Sequence, residues 1–76
     1  MKPTLETIAD KRPTLEEMQE KVGGLVELLT LMDGSHLLFC EDGLMLQMPL
    51  NTEASAVAQQ PIVGNAVILR GEARWT

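Results

Sequence analysis

Eight residues, LVELLTLM from Leu25 to Met32, run between Gly23-Gly24 on one side and Asp33-Gly34 on the other. The run is too short for a freestanding helix and is fenced by turn signals, so it is expected as a strand. Alternation puts Val26, Leu28, Thr30 and Met32 on one face and Leu25, Glu27, Leu29 and Leu31 on the other, so both faces are largely apolar. A strand that is apolar on both sides asks for a cover on both sides. One cover is expected from a helix, the other from a second copy of the chain.

The helix is visible just upstream. Thr14 followed by Glu17 forms a capping box, and Leu15, Met18 and Val22 then recur at helical spacing. Glu16, Glu17 and Glu20 face water, Lys21 suits the end of the helix dipole, and Gly23-Gly24 stops the helix, which is expected over 14–22. Downstream, Asp33-Gly34 signals a tight type I′ hairpin leading into SHLLFC as the partner strand. Glu41-Asp42-Gly43 makes a second turn, and LMLQM is expected as a third strand, with Leu44, Leu46 and Met48 on one face and Met45 on the other. Pro49 ends that strand. Asn51 or Thr52 then caps a short helix to about Ala58, whose Ala54, Val57 and Ala58 would pack on a sheet. IVGNAVILR follows as a central strand, with Gly64 marking a bulge or a close approach.

These elements compose an α+β fold: a small antiparallel sheet of about four strands, an N-terminal helix and a short second helix. Residues 1–12 are expected as a flexible leader, 13–71 as a single domain and 72–76 as a tail. KPTLE and RPTLE begin ten residues apart, but the repeat is too short to be a structural unit, and only the second copy leads into a helix pattern.

A chain of 76 residues buries only about 60% of the surface that its unfolded form exposes, so it wants outside support. A lone cysteine, Cys40, excludes an intrachain disulfide, and a lone histidine, His36, weakens the case for a metal. With an apolar fraction of 45%, self-association into a homodimer is the expected support. No run is long enough to span a bilayer, the first residues have no apolar signal core, and free Cys40 suits a reducing compartment, so a cytoplasmic location is expected.

The net charge of −5 matters through its layout. Lys2, Lys11, Arg12, Lys21, Arg70 and Arg74 all lie toward the ends, and no basic residue stands between Val22 and Leu69. Glu27, Asp33, Glu41, Asp42 and Glu53 fill that interval and would repel phosphate, which argues against a nucleic-acid groove across the main body.

Catalysis needs a nucleophile beside a base, a metal cluster or two carboxylates held together, and the residues for these are missing. His36 and Cys40 share a strand face but stand about 13 Å apart along it, too far for a nucleophile to touch its base. Cys40 is expected as a buried inert thiol and His36 as an exposed residue after the turn. Glu41 and Asp42 fall short of the oxygen set that calcium requires and read as turn chemistry. No catalytic residue, metal site or cofactor is expected. Glu27 is either an exposed position near a sheet edge or the partner of Arg70 or of another subunit. Arg70, Arg74 and Trp75 form the one cluster with a ligand character, since guanidinium and indole can hold a phosphate and stack a base; the alternative is a tail folded over apolar surface. Leu29, Leu31 and Met45, with Glu27, are the expected partner-facing residues.

Val22-Gly23-Gly24 with Glu27, Asp33-Gly34, the CEDG turn, Met48-Pro49-Leu50-Asn51-Thr52-Glu53-Ala54 and the final IVG strand together resemble a family of small uncharacterised domains found in bacteriophage and mobile-element genes. Its members show a Gly-Gly-x-x-Glu start, an acidic-Gly turn, a Leu-Pro-x-Asn-x-x-Ala segment and an Ile-Val-Gly-like final strand. The resemblance covers about residues 14–70, with Met48 where leucine is usual. It implies a phage or prophage origin and activity inside a bacterial cell, and it brings no chemistry with it. The functional expectation is a non-enzymatic accessory protein that binds a host protein through an apolar, mildly acidic surface and blunts a defence or metabolic system. The alternatives are an oligomeric binder of a nucleotide signal and a structural self-assembly module.

Overall fold

The computed structural model of the chain describes residues 2–75. Thr14 starts the first helix, α1 (Leu15–Val22), as its sequence pattern requires: Glu17 N–H donates to Thr14 Oγ1 at 3.1 Å and Thr14 N–H donates to Glu17 Oε1 at 2.9 Å. Gly23, in the left-handed region, closes the helix by donating to Gln19 O. Met18 and Val22 are the buried side chains of α1, and they face a four-stranded sheet.

The sheet is formed by β1 (Leu5–Ile8), β2 (Val26–Thr30), β3 (His36–Cys40) and β4 (Ala66–Leu69), in the order β1-β4-β3-β2. β2 and β3 form the expected antiparallel hairpin, and β3 pairs antiparallel with β4, which is central and buried throughout. β1 runs parallel to β4, with Leu5 beside Ala66 and Ile8 beside Leu69. The sheet is therefore mixed rather than purely antiparallel. Residues 5–8 fall within the stretch expected to be a leader, and they are part of the sheet because β4 has a second hydrogen-bonding edge to satisfy. β1 and β2 occupy opposite edges and run in the same direction, so α1 crosses the sheet between them.

Two further expectations are corrected. The hairpin turn is a three-residue loop: Gly34 N–H donates to Leu31 O at 3.0 Å and Leu31 N–H to Ser35 O at 2.8 Å. Only Gly34 of the Asp33-Gly34 pair takes positive φ, at 88°, which is a type I turn with a glycine bulge instead of type I′. Asp33 Oδ1 accepts from Ser35 N–H at 2.9 Å and braces the loop. The expected third strand, Leu44 to Met48, is instead a run of turns: Leu46 N–H donates to Asp42 O, Gln47 N–H to Leu44 O and Met48 N–H to Gly43 O. Leu and Met, neither of them branched at Cβ, have less preference for a pleated strand than Val or Ile, and local bonds satisfy the backbone instead.

The second helix, α2 (Thr52–Ala58), is capped by Asn51, whose Oδ1 accepts from Ala54 N–H. It covers the face opposite α1. Leu37, Ala66 and Ile68 from the sheet pack there with Ala54 and Ile62, while Met18, Leu38, Val67, Leu69 and Ala73 form the core on the α1 side. The second cover of the sheet is thus supplied by the same chain. Leu29, Leu31 and Phe39 lie at the margin of the α2-side core and remain half-buried. Gly64 has a φ of 80°, and a Cβ there would stand 2.6 Å from Met48 Sδ, so both conformation and space call for glycine.

Candidate interaction surface

Between Gly43 and Met48 the chain makes a self-contained knob. Gly43 is buried, and a Cβ on it would meet Val63 Cγ2 at 2.7 Å; the side chain of Met48 approaches both Gly23 and Gly64. The base of the knob is thus fixed against α1 and the segment leading to β4. Glu41 N–H donates to Leu25 O at 2.8 Å, which ties the same base to the start of β2. From this anchored base Leu44, Met45 and Leu46 project with 79%, 85% and 57% of their surfaces exposed. Leu25 and Leu50 are also more than half exposed. Consecutive large apolar residues on a loop held by its own turn bonds add nothing to the core and carry a hydration cost, the pattern of a contact surface.

The expected partner-facing residues divide between two places. Met45 is on the knob, whereas Leu29 and Leu31 line an open groove of about 320 Å³ together with Val57, Ala58 and Arg70. Glu27 lies on the same strand face as Leu29 and is exposed. It forms no ion pair with Arg70: among the described residues the one salt bridge joins Lys21 Nζ to Glu6 Oε1 at 2.8 Å, on the surface.

Arg70, Arg74 and Trp75 are positioned differently from one another. Arg74 is engaged with backbone, Nη1 donating to Gly34 O and Nε to Gly71 O, each at 3.2 Å. Trp75 packs against the α1-side core, and its indole N–H donates to Pro13 O at 3.0 Å. Arg70 is exposed and borders both the Leu29–Leu31 groove and a depression shared with Asp33 and Arg74. The tail therefore folds over apolar surface, and guanidinium and indole do not line a common recess there.

His36 is 5% exposed rather than open to solvent, because Trp75 covers it: the Trp75 N–H donates to His36 Nδ1 at 3.4 Å. Cys40 is buried, with its Sγ against Gly24. Among the described residues no group of three His, Cys, Asp or Glu side chains is placed to hold a metal ion. Asp33 is held below the ordinary aspartate range, chiefly by the Ser35 N–H. No helix among the described residues is long and apolar enough to cross a membrane.

The sequence points to Met45 as partner-facing but not to Leu44 or Leu46, because the segment reads locally as a strand with Leu44, Leu46 and Met48 on its packed face. The signal that points to the knob is the absence of β-branched residues between Gly43 and Pro49.

No curated protein matches the chain, and no solved structure matches it. A family match does cover residues 1–76, and the chain belongs to the family described as a domain of unknown function (DUF3846).

Proposed function

We propose that this protein is a non-enzymatic accessory factor of phage or prophage origin that works in the bacterial cytoplasm by docking on a host protein, in a role such as blunting a defence or metabolic system. The observation that carries this reading is the anchored knob with Leu44, Met45 and Leu46 turned outward. Met45 is an adaptable contact, since its unbranched thioether moulds to irregular partner surfaces. Glu41 and Asp42 flank the knob in sequence, and Lys2 and Lys21 border the recess beside Met48 and Pro49 at its base, which favours a partner with an apolar recess and a polar rim carrying Lys or Arg opposite the acidic side.

The rival reading, a binder of a nucleotide signal, draws its support from exposed Arg70 beside the Leu29–Leu31 groove. It is weakened by the commitments of Arg74 and Trp75 to backbone carbonyls. A role in self-assembly alone leaves the acidic flanks of the knob unused.

The test is capture from a bacterial lysate with the native chain and with a Leu44→Ser/Met45→Ser/Leu46→Ser variant. The native chain is expected to retain a host protein that the variant loses, while the urea midpoint of the variant stays unchanged because the three side chains are outside the core. Equal capture by both, or by neither, overturns the reading.

A further inference from the structure

β2 is an edge strand, and the direction of its backbone groups follows from the hairpin. Leu31 N–H donates to Ser35 O and Glu41 N–H to Leu25 O, so the residues of β2 at odd positions bond to β3. Antiparallel ladders alternate, so the N–H and C=O groups of Val26, Leu28 and Thr30 point away from the sheet. Of the usual devices that keep an edge from pairing, β2 has no proline and one charge, Glu27, which is not among the three residues whose backbone points outward. The edge is also accessible: Leu28 and Thr30 are exposed.

We propose that β2 pairs antiparallel with β2 of a second copy of this chain, centred on Leu28, so that two four-stranded sheets join into one. In this register Leu28 faces Leu28 of the other copy and Val26 faces Thr30, and every outward N–H and C=O of the three residues finds a partner across the two-fold axis. The spacing of polar groups along the edge is its own complement, so a second copy related by a two-fold axis fits it without any other segment being needed. Charge agrees with this. Glu27 falls opposite Leu29, not opposite Glu27, so no like charges meet directly, and its carboxylate stays in water at the open margin of the α2 face. The other edge is a poorer candidate. The hydrogen bonds from Ala66 N–H to Thr4 O and from Arg70 N–H to Ile8 O leave Leu5 and Thr7 outward on β1, and the register that pairs them sets Glu6 against Glu6. This pairing uses the edge away from the helix-covered faces and does not depend on the knob or on a host partner.

The experiment combines mass by light scattering over a dilution series with amide hydrogen exchange by NMR on the full chain. The native chain is expected at twice the protomer mass, with the amides of Val26, Leu28 and Thr30 as well protected as those of Glu27 and Leu29. A mixed-label sample is expected to give an interchain NOE between Glu27 Hα and Leu29 Hα. Leu28→Lys sets two ammonium groups face to face on the axis and should weaken self-association by more than about tenfold, with far-UV circular dichroism unchanged because Leu28 is 38% exposed. A native chain that stays a protomer at all concentrations overturns the proposal. So does a dimer whose Val26, Leu28 and Thr30 amides exchange freely, or one that Leu28→Lys leaves intact. Should that variant fail to fold, the exchange pattern and the NOE of the native chain decide.

Discussion

Asn51 holds three parts of the chain together with one amide that is 2% exposed. Its Oδ1 accepts from Ala54 N–H and starts α2, while its Nδ2 donates to Thr4 O and Gly64 O, each at 2.9 Å. The residue therefore joins the entry to β1, the approach to β4 and the helix. Asn51→Ala removes the cap and leaves two carbonyls without their donor, so a loss of about 2–4 kcal/mol is expected in urea unfolding. Asn51→Asp keeps the cap acceptor but turns an oxygen toward those carbonyls, and at neutral pH it is expected to be no more stable than the alanine variant. An aspartate variant as stable as the native chain would show that the two Nδ2 bonds carry nothing. The cap was legible because it depends on residues three apart. The other two partners were not, since Thr4 lies far away in sequence and only the meeting of β1 with β4 brings it to Asn51.

At the level of elements, α1 and the β2–β3 hairpin follow the local pattern closely, and the capping box of α1 makes its stability depend on pH. The Thr14 N–H and hydroxyl hold the Glu17 carboxyl below its ordinary value of 4.5. A carboxyl lowered in the folded state stabilises fully above that ordinary value, and the contribution is lost as pH falls through the lowered one. Asp33, lowered by Ser35, acts in the same direction from 3.8 downward. The urea midpoint is thus expected to fall on acidification below about pH 4.5, and Glu17→Gln, which can still bond to Thr14 N–H but does not titrate, should flatten part of that decline. An unchanged acid limb in the glutamine variant would remove Glu17 from the account. The Leu44–Met48 segment shows where local reading fails: alternating Leu and Met match a strand pattern, yet no edge of the sheet receives them, and turn bonds engage the backbone instead.

The whole molecule is a sheet with a core on each face, and both cores draw on the ends of the chain. Ile8 and Trp75 pack on the α1-side core, Leu5 packs on the α2-side core, and Ala73 is fully buried. Arg12 Nε donates to Arg74 O at 2.7 Å, which joins the two ends directly. Removing residues 1–12 takes a strand from β4 and uncovers both cores. It is expected to abolish cooperative unfolding, followed by the fluorescence of Trp75, the chain's one tryptophan; a dispensable leader would leave the transition in place. Features governed by residues within one turn or one strand of each other were determined by the sequence itself: α1 and its caps, the hairpin partners, the start of α2, and a final strand apolar enough to be central. The parallel seat of β1, the burial of His36 under Trp75, the covering of the second face by α2 and the outward knob were decided only by tertiary structure. Their physical reason is shared. Each depends on which segment satisfies a backbone edge or covers an apolar face made by residues distant in the chain, and that choice is settled only when the whole sheet has formed.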